Sequence, residues 1–274
     1  MTNAVAPAVP APRLDGRVAI ITGATQGLGA DIARTLAAAG ARVVLVGRGR
    51  AAGEAVARAI GPQALFVETN ITDDDAIDHC LAQTLAHFGQ IDILVNNACS
   101  YDDQGLASSR EQWHRTLDVN LISAAIFTQK ASAHMPRGGV VVNLGSTGGK
   151  FGAAGRAIYP ASKAAMLQIT KNFAVELAPR GIRVVAVSPA WTWSPAVESM
   201  TGGSTELADS VGAHFHPLGR VGRGEEIGCA VAFLASPEAS WITGIDVPVD
   251  GGFSILGPDQ GILPRTWFAR LGQG

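Results

Sequence analysis

The chain has 274 residues, 47% of them apolar and 16% charged, with 33 glycines and a formal net charge of −2. That charge argues against nucleic acid or an acidic membrane surface as the main partner. Three cysteines (Cys80, Cys99 and Cys229) are too sparse and odd in number for a disulfide framework, no Cys/His spacing suggests zinc or another metal, and no apolar run reaches transmembrane length.

In chain order, residues 1–12 are rich in Ala and Pro and lack the basic start and long apolar core of a signal peptide. They are expected to form a disordered leader before a cytoplasmic domain. Short β-branched runs then follow at 18–22, 42–46, 64–68, 91–96, 139–144, 183–188 and 246–249. Between them lie amphipathic stretches with helical spacing at 29–39, 51–59, 73–88, 109–135, 160–178 and 225–235. Strand–helix alternation of this kind predicts βαβ units and a parallel sheet covered on both faces. The runs are nearly continuously apolar, as strands buried on both sides require. The expected fold class is α/β, a Rossmann-like, doubly wound, seven-stranded parallel sheet with helices on both faces. One domain is expected over residues 13–256, followed by an extension at 257–274.

The first strand-to-helix turn reads Thr22-Gly23-Ala24-Thr25-Gln26-Gly27-Leu28-Gly29. Gly23 permits a tight turn, Gly27 lets backbone approach a pyrophosphate, and Gly29 lets helix and strand pack closely. The N-terminus of the helix then offers free N–H groups and a favourable dipole to phosphate. Further along, Tyr159-Pro160-Ala161-Ser162-Lys163 places a phenol and an ammonium four residues apart, on one face if the segment is helical. A lysine beside a tyrosine favours the phenolate, the condition for a phenol to act as a general acid or base.

With Asn96-Asn97-Ala98 after the fourth strand, Asn120, Ser146 after the fifth and Ser188-Pro189 after the sixth, these motifs resemble the short-chain dehydrogenase/reductase family, standard-length branch. The resemblance spans about residues 14 to 256. It implies Tyr159 as catalytic acid/base and Ser146 as the donor that orients the substrate oxygen. It implies that Lys163 tunes the tyrosine and binds the nicotinamide ribose, and that Asn120 braces its helix and holds a water in a proton relay. Donors aimed at an oxygen that gains charge during hydride transfer stabilise that transition state.

The resemblance also implies cofactor contacts. They comprise Gly23, Thr25, Gln26, Gly27, Leu28 and Gly29 in the turn, Asn70 and Ile71 near adenine, and Asn97 and Ala98 beside the adenosine or the central strands. Tyr159 and Lys163 face the nicotinamide ribose, and Pro189, Ala190, Thr192 and Ser194 line the nicotinamide. At the end of the second strand, Gly47-Arg48 stands where an NAD site usually has a carboxylate. An arginine there suits a 2′-phosphate, so NADP is favoured and NAD is the alternative. Arg50 is a second candidate contact. The family's usual glycines after Asn-Asn-Ala and after Pro189 are replaced by Cys99 and Ala190.

Substrate selection is expected in loops at the carboxyl ends of the strands, with Tyr101, Phe151, Trp191 and Trp193 as apolar contacts and residues 191–218 as a lid. His214 and His216 lack a third ligand nearby and are not read as a metal site. The expected activity is NAD(P)-dependent interconversion of a small-molecule secondary alcohol and ketone. The alternative is a non-catalytic nucleotide-binding or sensor protein on the same scaffold. The segment at 240–252 resembles the family's last strand and dimer edge, which implies a homotetramer, or a dimer. The 257–274 extension is expected to pack across a subunit interface.

Overall fold

The inner β-branched runs become strands because both of their faces find apolar cover. The structure is a computed structural model that describes residues 13–271; the expected leader lies outside the described residues. The strands are β1 (Val18–Thr22), β2 (Arg42–Gly47), β3 (Ala64–Glu68), β4 (Ile93–Asn96), β5 (Val140–Leu144), β6 (Arg183–Pro189) and β7 (Asp246–Val249). They form one seven-stranded sheet in the order β3-β2-β1-β4-β5-β6-β7, with every pairing parallel.

The helices are α1 (Gly27–Ala38), α2 (Arg50–Ile60), α3 (Asp74–Phe88), α4 (Arg110–Leu117), α5 (Ser123–Ser132), α6 (Ile158–Leu177), α7 (Pro195–Met200), α8 (Thr205–Gly212), α9 (Gly224–Ala235) and α10 (Pro264–Leu271). Side chains alternate across the sheet with the strand period of two. Ala19, Ile21, Val43 and Leu45 join Ile32 and Leu36 of α1 and Ile227 and Val231 of α9 in one core. Val18, Ile20, Val44 and Val46 join Ile77 of α3, Phe127 of α5 and Ala174 of α6 in the other. The sheet is therefore the middle of three layers. No described helix is long and apolar enough to cross a membrane.

Two expectations about local structure are corrected. The single helix expected over 109–135 is interrupted by a widened π-turn at Asp118–Ile122 and ends at Ser132. The buried side chain of Asn120, inside that turn, is tied to loop 100 and to α6, which holds the extra residue in place. Residues 191–218, expected as a lid loop, contain α7 and α8. Ser194 caps α7 with Pro195 as its first residue, and Ser204 caps α8, both favourable helix starts. Gly202 and Gly203, with φ of +61° and +86°, separate the two helices.

Candidate active site

The order of the sheet reverses at β1, which pairs with β2 on one side and β4 on the other. Crevices at such a point, beyond the carboxyl ends of the strands, are where open α/β sheets bind ligands. The glycine turn lies there, and its shape is enforced. Gly23 has φ +68°, and a methyl group on it would come within 2.8 Å of the Ala98 Cα. A methyl group on Gly29 would collide with the Gly23 carbonyl oxygen and the Asn97 amide. The Thr22 hydroxyl accepts from the Asn97 and Ala98 N–H groups at 3.0 Å each, and Asn97 Nδ2 donates to the Thr22 carbonyl at 2.9 Å. Of the two roles expected for Asn97, its side chain thus performs the bracing one. No side chain caps α1 and no acidic residue lies in its first turn, so its leading N–H groups are open to an anion.

Ser146, Tyr159 and Lys163 come together from β5 and α6. Ser146 follows β5, and its hydroxyl accepts from the Gly148 N–H at 3.0 Å. A methyl group on Gly148 would sit 3.3 Å from Ser146 Oγ and 3.4 Å from Tyr159 Cε1, so serine and tyrosine border one point. Tyr159 lies in the first turn of α6 and is 9% exposed. Lys163, one helical turn later and buried, donates from Nζ to the Leu144 carbonyl at 2.7 Å, with Nζ 5.8 Å from the tyrosine ring centre. Cys99 lies beside Lys163; burial pushes its thiol up, and the lysine offsets this only in part, so it is a poor nucleophile. Asn120 stands behind this group. Its Oδ1 accepts from Ser100 N at 2.6 Å, and its Nδ2 donates to Ser100 O at 3.0 Å and Ser162 Oγ at 3.1 Å. Ser162 in turn donates to the Tyr159 carbonyl at 2.7 Å.

One residue at the site escaped the sequence reading. Asp103, on the loop after β4, accepts from Tyr159 N at 2.9 Å, from Ala157 N at 2.9 and 3.0 Å, and from Gly105 N at 2.9 Å. It caps α6, whose own N-cap residue, Ala157, has no side chain able to do so. Burial pushes the Asp103 carboxyl up, but the N–H groups of Gly105, Tyr159, Ala157 and Ile158 outweigh this and hold it below the ordinary carboxylate range. The same loop carries Tyr101, whose ring stacks on Tyr159 with centroids 5.1 Å apart.

At the opposite end of the crevice, Gly47 packs against Thr25, and a methyl group there would meet Thr25 Cγ2 at 2.7 Å. Arg48 is exposed and joins no ion pair among the described residues. Arg50, the second candidate, is already paired with Glu68 at 2.6 Å. Asn70 accepts from the Thr72 hydroxyl at 3.1 Å, and Ile71 packs on the second core, so both shape the turn after β3.

Pro189, the last residue of β6, is buried, and Ala190 and Thr192 beyond it are half-buried. Thr192 Oγ1 donates to Ala190 O at 3.2 Å, and Trp193 N donates to Gly222 O at 2.9 Å. The Ser194 hydroxyl accepts from Val197 N at the start of α7. Trp191 packs on Phe215 at 5.0 Å and His216 at 6.2 Å; His216 faces Phe253 at 5.5 Å, and Phe253 faces Phe151 at 6.0 Å. His216 and Phe253 thus link two of the expected substrate residues, Trp191 and Phe151, whereas Trp193 joins no aromatic pair among the described residues.

A family model described as enoyl-(acyl carrier protein) reductase matches residues 23–254. The chain is 37% identical over 247 residues to cis-4-hydroxycyclohexanecarboxylate dehydrogenase of Sinomonas cyclohexanicum, covering 88% of this chain and 97% of that one. It is 35% identical over 245 residues to 3-oxoacyl-[acyl-carrier-protein] reductase of Escherichia coli, covering 88% and 99%. Among solved structures it resembles a short-chain dehydrogenase/reductase of the glucose/ribitol dehydrogenase type from Brucella melitensis. The TM-score is 0.83 at 31% identity, over 89% of this chain and 99% of that one.

Proposed function

The chain belongs to the short-chain dehydrogenase/reductase family of oxidoreductases, and we propose that it interconverts a secondary alcohol and a ketone with a nicotinamide nucleotide, NADP in preference to NAD. The observation that carries this reading is the convergence of Ser146 and Tyr159 on one point beside Gly148, with Lys163 one turn along the same helix.

The residues present fit the nucleotide. The glycine turn leaves no room for side chains, and the start of α1 presents uncapped N–H groups suited to a pyrophosphate. Arg48, unpaired at the carboxyl end of β2, would take the 2′-phosphate. Lys163 would hold the ribose near the nicotinamide, and Thr192 and Ser194 the carboxamide. When bound, the nicotinamide supplies or accepts the hydride.

The chain's own residues handle the oxygen and its proton. Ser146 donates to the substrate oxygen and orients it. Tyr159 gives that oxygen a proton in reduction and takes the hydroxyl proton in oxidation. Lys163 places its ammonium one turn further along α6, 5.8 Å from the centre of the tyrosine ring, where it can also reach the ribose. Asn120, locked to Ser100 and Ser162, keeps α4 and α6 in register behind the tyrosine. The aromatic residues Trp191, Phe151 and Tyr101 suit a ring-bearing or otherwise apolar substrate. The hydroxycyclohexanecarboxylate in one relative's name makes 4-oxocyclohexanecarboxylate a rational first ketone to test. A homotetramer belongs to the same reading; Trp241, 99% exposed beside β7, is a surface for it to cover.

The test is Tyr159→Phe, with turnover followed by the absorbance of the reduced nicotinamide. Loss of the proton donor is expected to lower kcat by about 10²- to 10⁴-fold while nucleotide affinity stays within a few-fold. A fully active variant would end the assignment.

A further inference from the structure

We propose that Arg156 reads an anionic group on the substrate, so that the alcohol or ketone carries a carboxylate across an apolar frame from its reacting carbon. This rests on the assignment of Tyr159 as acid/base. The guanidinium of Arg156 stands 5.6 Å from the centre of the Tyr159 ring. It joins no ion pair and makes no side-chain hydrogen bond among the described residues. The neighbouring acids are already engaged. Asp102 is paired with Arg115, and both Asp103 oxygens serve backbone N–H groups. The cation at the mouth of the site therefore has no internal counter-charge.

Position makes this charge useful. Arg156 precedes Ala157, whose N–H is pinned by Asp103, and follows Gly155, whose backbone passes so close to Gly105 that a methyl group on Gly105 would come within 3.0 Å of it. The main chain that carries Arg156 is thus fixed relative to the Tyr159 phenol. The ring face attracts the cation and holds it near the site before any ligand arrives. A guanidinium there presents a planar fork that matches a carboxylate with two parallel hydrogen bonds. Tyr101, stacked on Tyr159, gives the apolar body of the same substrate a wall. The site thus takes a molecule with an apolar frame, an oxygen for Tyr159 and an anion for Arg156.

The experiment compares kcat/KM for 4-oxocyclohexanecarboxylate with that for its neutral carboxamide, in the wild type, Arg156→Gln and Arg156→Lys. The wild type should favour the acid by about tenfold or more, the scale of one charge-assisted hydrogen bond. In Arg156→Gln the acid-to-amide ratio should fall towards one, chiefly through KM for the acid; Arg156→Lys, a charge without the fork, should restore part of it. Nucleotide affinity, measured in each variant, reports whether the site remains folded. A ratio unchanged in Arg156→Gln overturns the proposal, as does turnover of the amide without the acid. If the wild type reduces neither ketone and binds no nicotinamide nucleotide, the reading of the reaction fails and the proposal falls with it.

Discussion

Two walls flank the crevice, and they are built differently. The wall that carries Tyr159 is fastened from several directions: Asp103 caps its helix, Asn120 grips Ser100 and Ser162, Ser162 holds the Tyr159 carbonyl, and Lys163 reaches Leu144. Nearly all of these bonds run from a side chain to backbone, so they fix the main chain itself. The facing wall, residues 191–218, is held by main-chain bonds to Gly222 and Gly251, by the Asp209–Arg223 ion pair at 2.6 Å and by aromatic contacts, and it leaves Trp191 45%, Met200 77% and Leu218 74% exposed. Exposed apolar side chains of this kind mark a surface that meets something else. Proton transfer needs a phenol placed to within a fraction of an ångström, whereas recognition needs a surface left open until substrate arrives.

The sharpest way to break this comparison is Asp103→Ala. It strips the Ala157 and Tyr159 N–H groups at the head of α6, and the Gly105 N–H, of their acceptor while touching no atom that the reaction uses. We expect kcat to fall by about 100-fold through misplacement of Tyr159 and stability to drop by about 1–3 kcal/mol. Asp103→Asn, which keeps the shape, should lose less of both. The carboxyl is held below its ordinary value in the folded protein, so its contribution is present above the unfolded-state value and is lost as pH falls through the folded one. The stability gap between wild type and Asp103→Asn, followed by urea unfolding, should therefore close on acidification below about pH 4. A gap that widens there would show that the cap is not the carboxylate.

A second fastening gives a smaller effect. In Asn120→Asp the donor to Ser100 O and Ser162 Oγ becomes an acceptor. Leaving those buried groups unmatched should cost about 2 kcal/mol, with kcat reduced about tenfold and KM for the ketone little changed. An equal rise in KM would mean that Asn120 serves the open wall as well.

Arg48 tests the comparison from the cofactor side, because it shares the exposure of the recognition surface and joins no ion pair among the described residues. Arg48→Gln should raise the Kd for NADP about tenfold, the scale of one charge-assisted bond, and leave that for NAD and the melting temperature nearly unchanged. Equal weakening of both nucleotides would remove the 2′-phosphate role.

How much of this was legible follows the range of each interaction. The strands could be read because two-sided burial demands continuous apolar runs, and β1, β3 and β7 begin and end where those runs do. Tyr159 and Lys163 could be paired because helical spacing is local, and the glycine turn because strand and helix flank it directly. Asp103 was hidden because its partner lies more than fifty residues away. Its only trace is indirect, an α6 whose N-cap position is Ala157, with no Ser, Thr, Asp or Asn to cap it. The aromatic series from Trp191 to Phe151 was half visible, because His216 and Phe253, which join its ends, come from two other segments. Helices α7 and α8 were masked by Gly202 and Gly203 between them, although Ser194-Pro195 and Ser204 are helix-start signals in their own right.

The effect on stability expected at Trp191 is small, and that is its value. The indole rests on Phe215 and His216 but remains 45% exposed, so truncation opens no closed cavity. Trp191→Ala should cost less than about 1 kcal/mol, far below the 3–5 kcal/mol typical of a core tryptophan. KM for a cyclic ketone should rise several-fold, with kcat nearly constant, because the Tyr159 wall has no part in the change. A KM effect without a kcat effect is the signature of binding shared equally by ground and transition states. If kcat fell instead, Trp191 would belong with Asp103 and Asn120 among the parts that place the phenol. The division of labour between the two walls would then have to be redrawn around it.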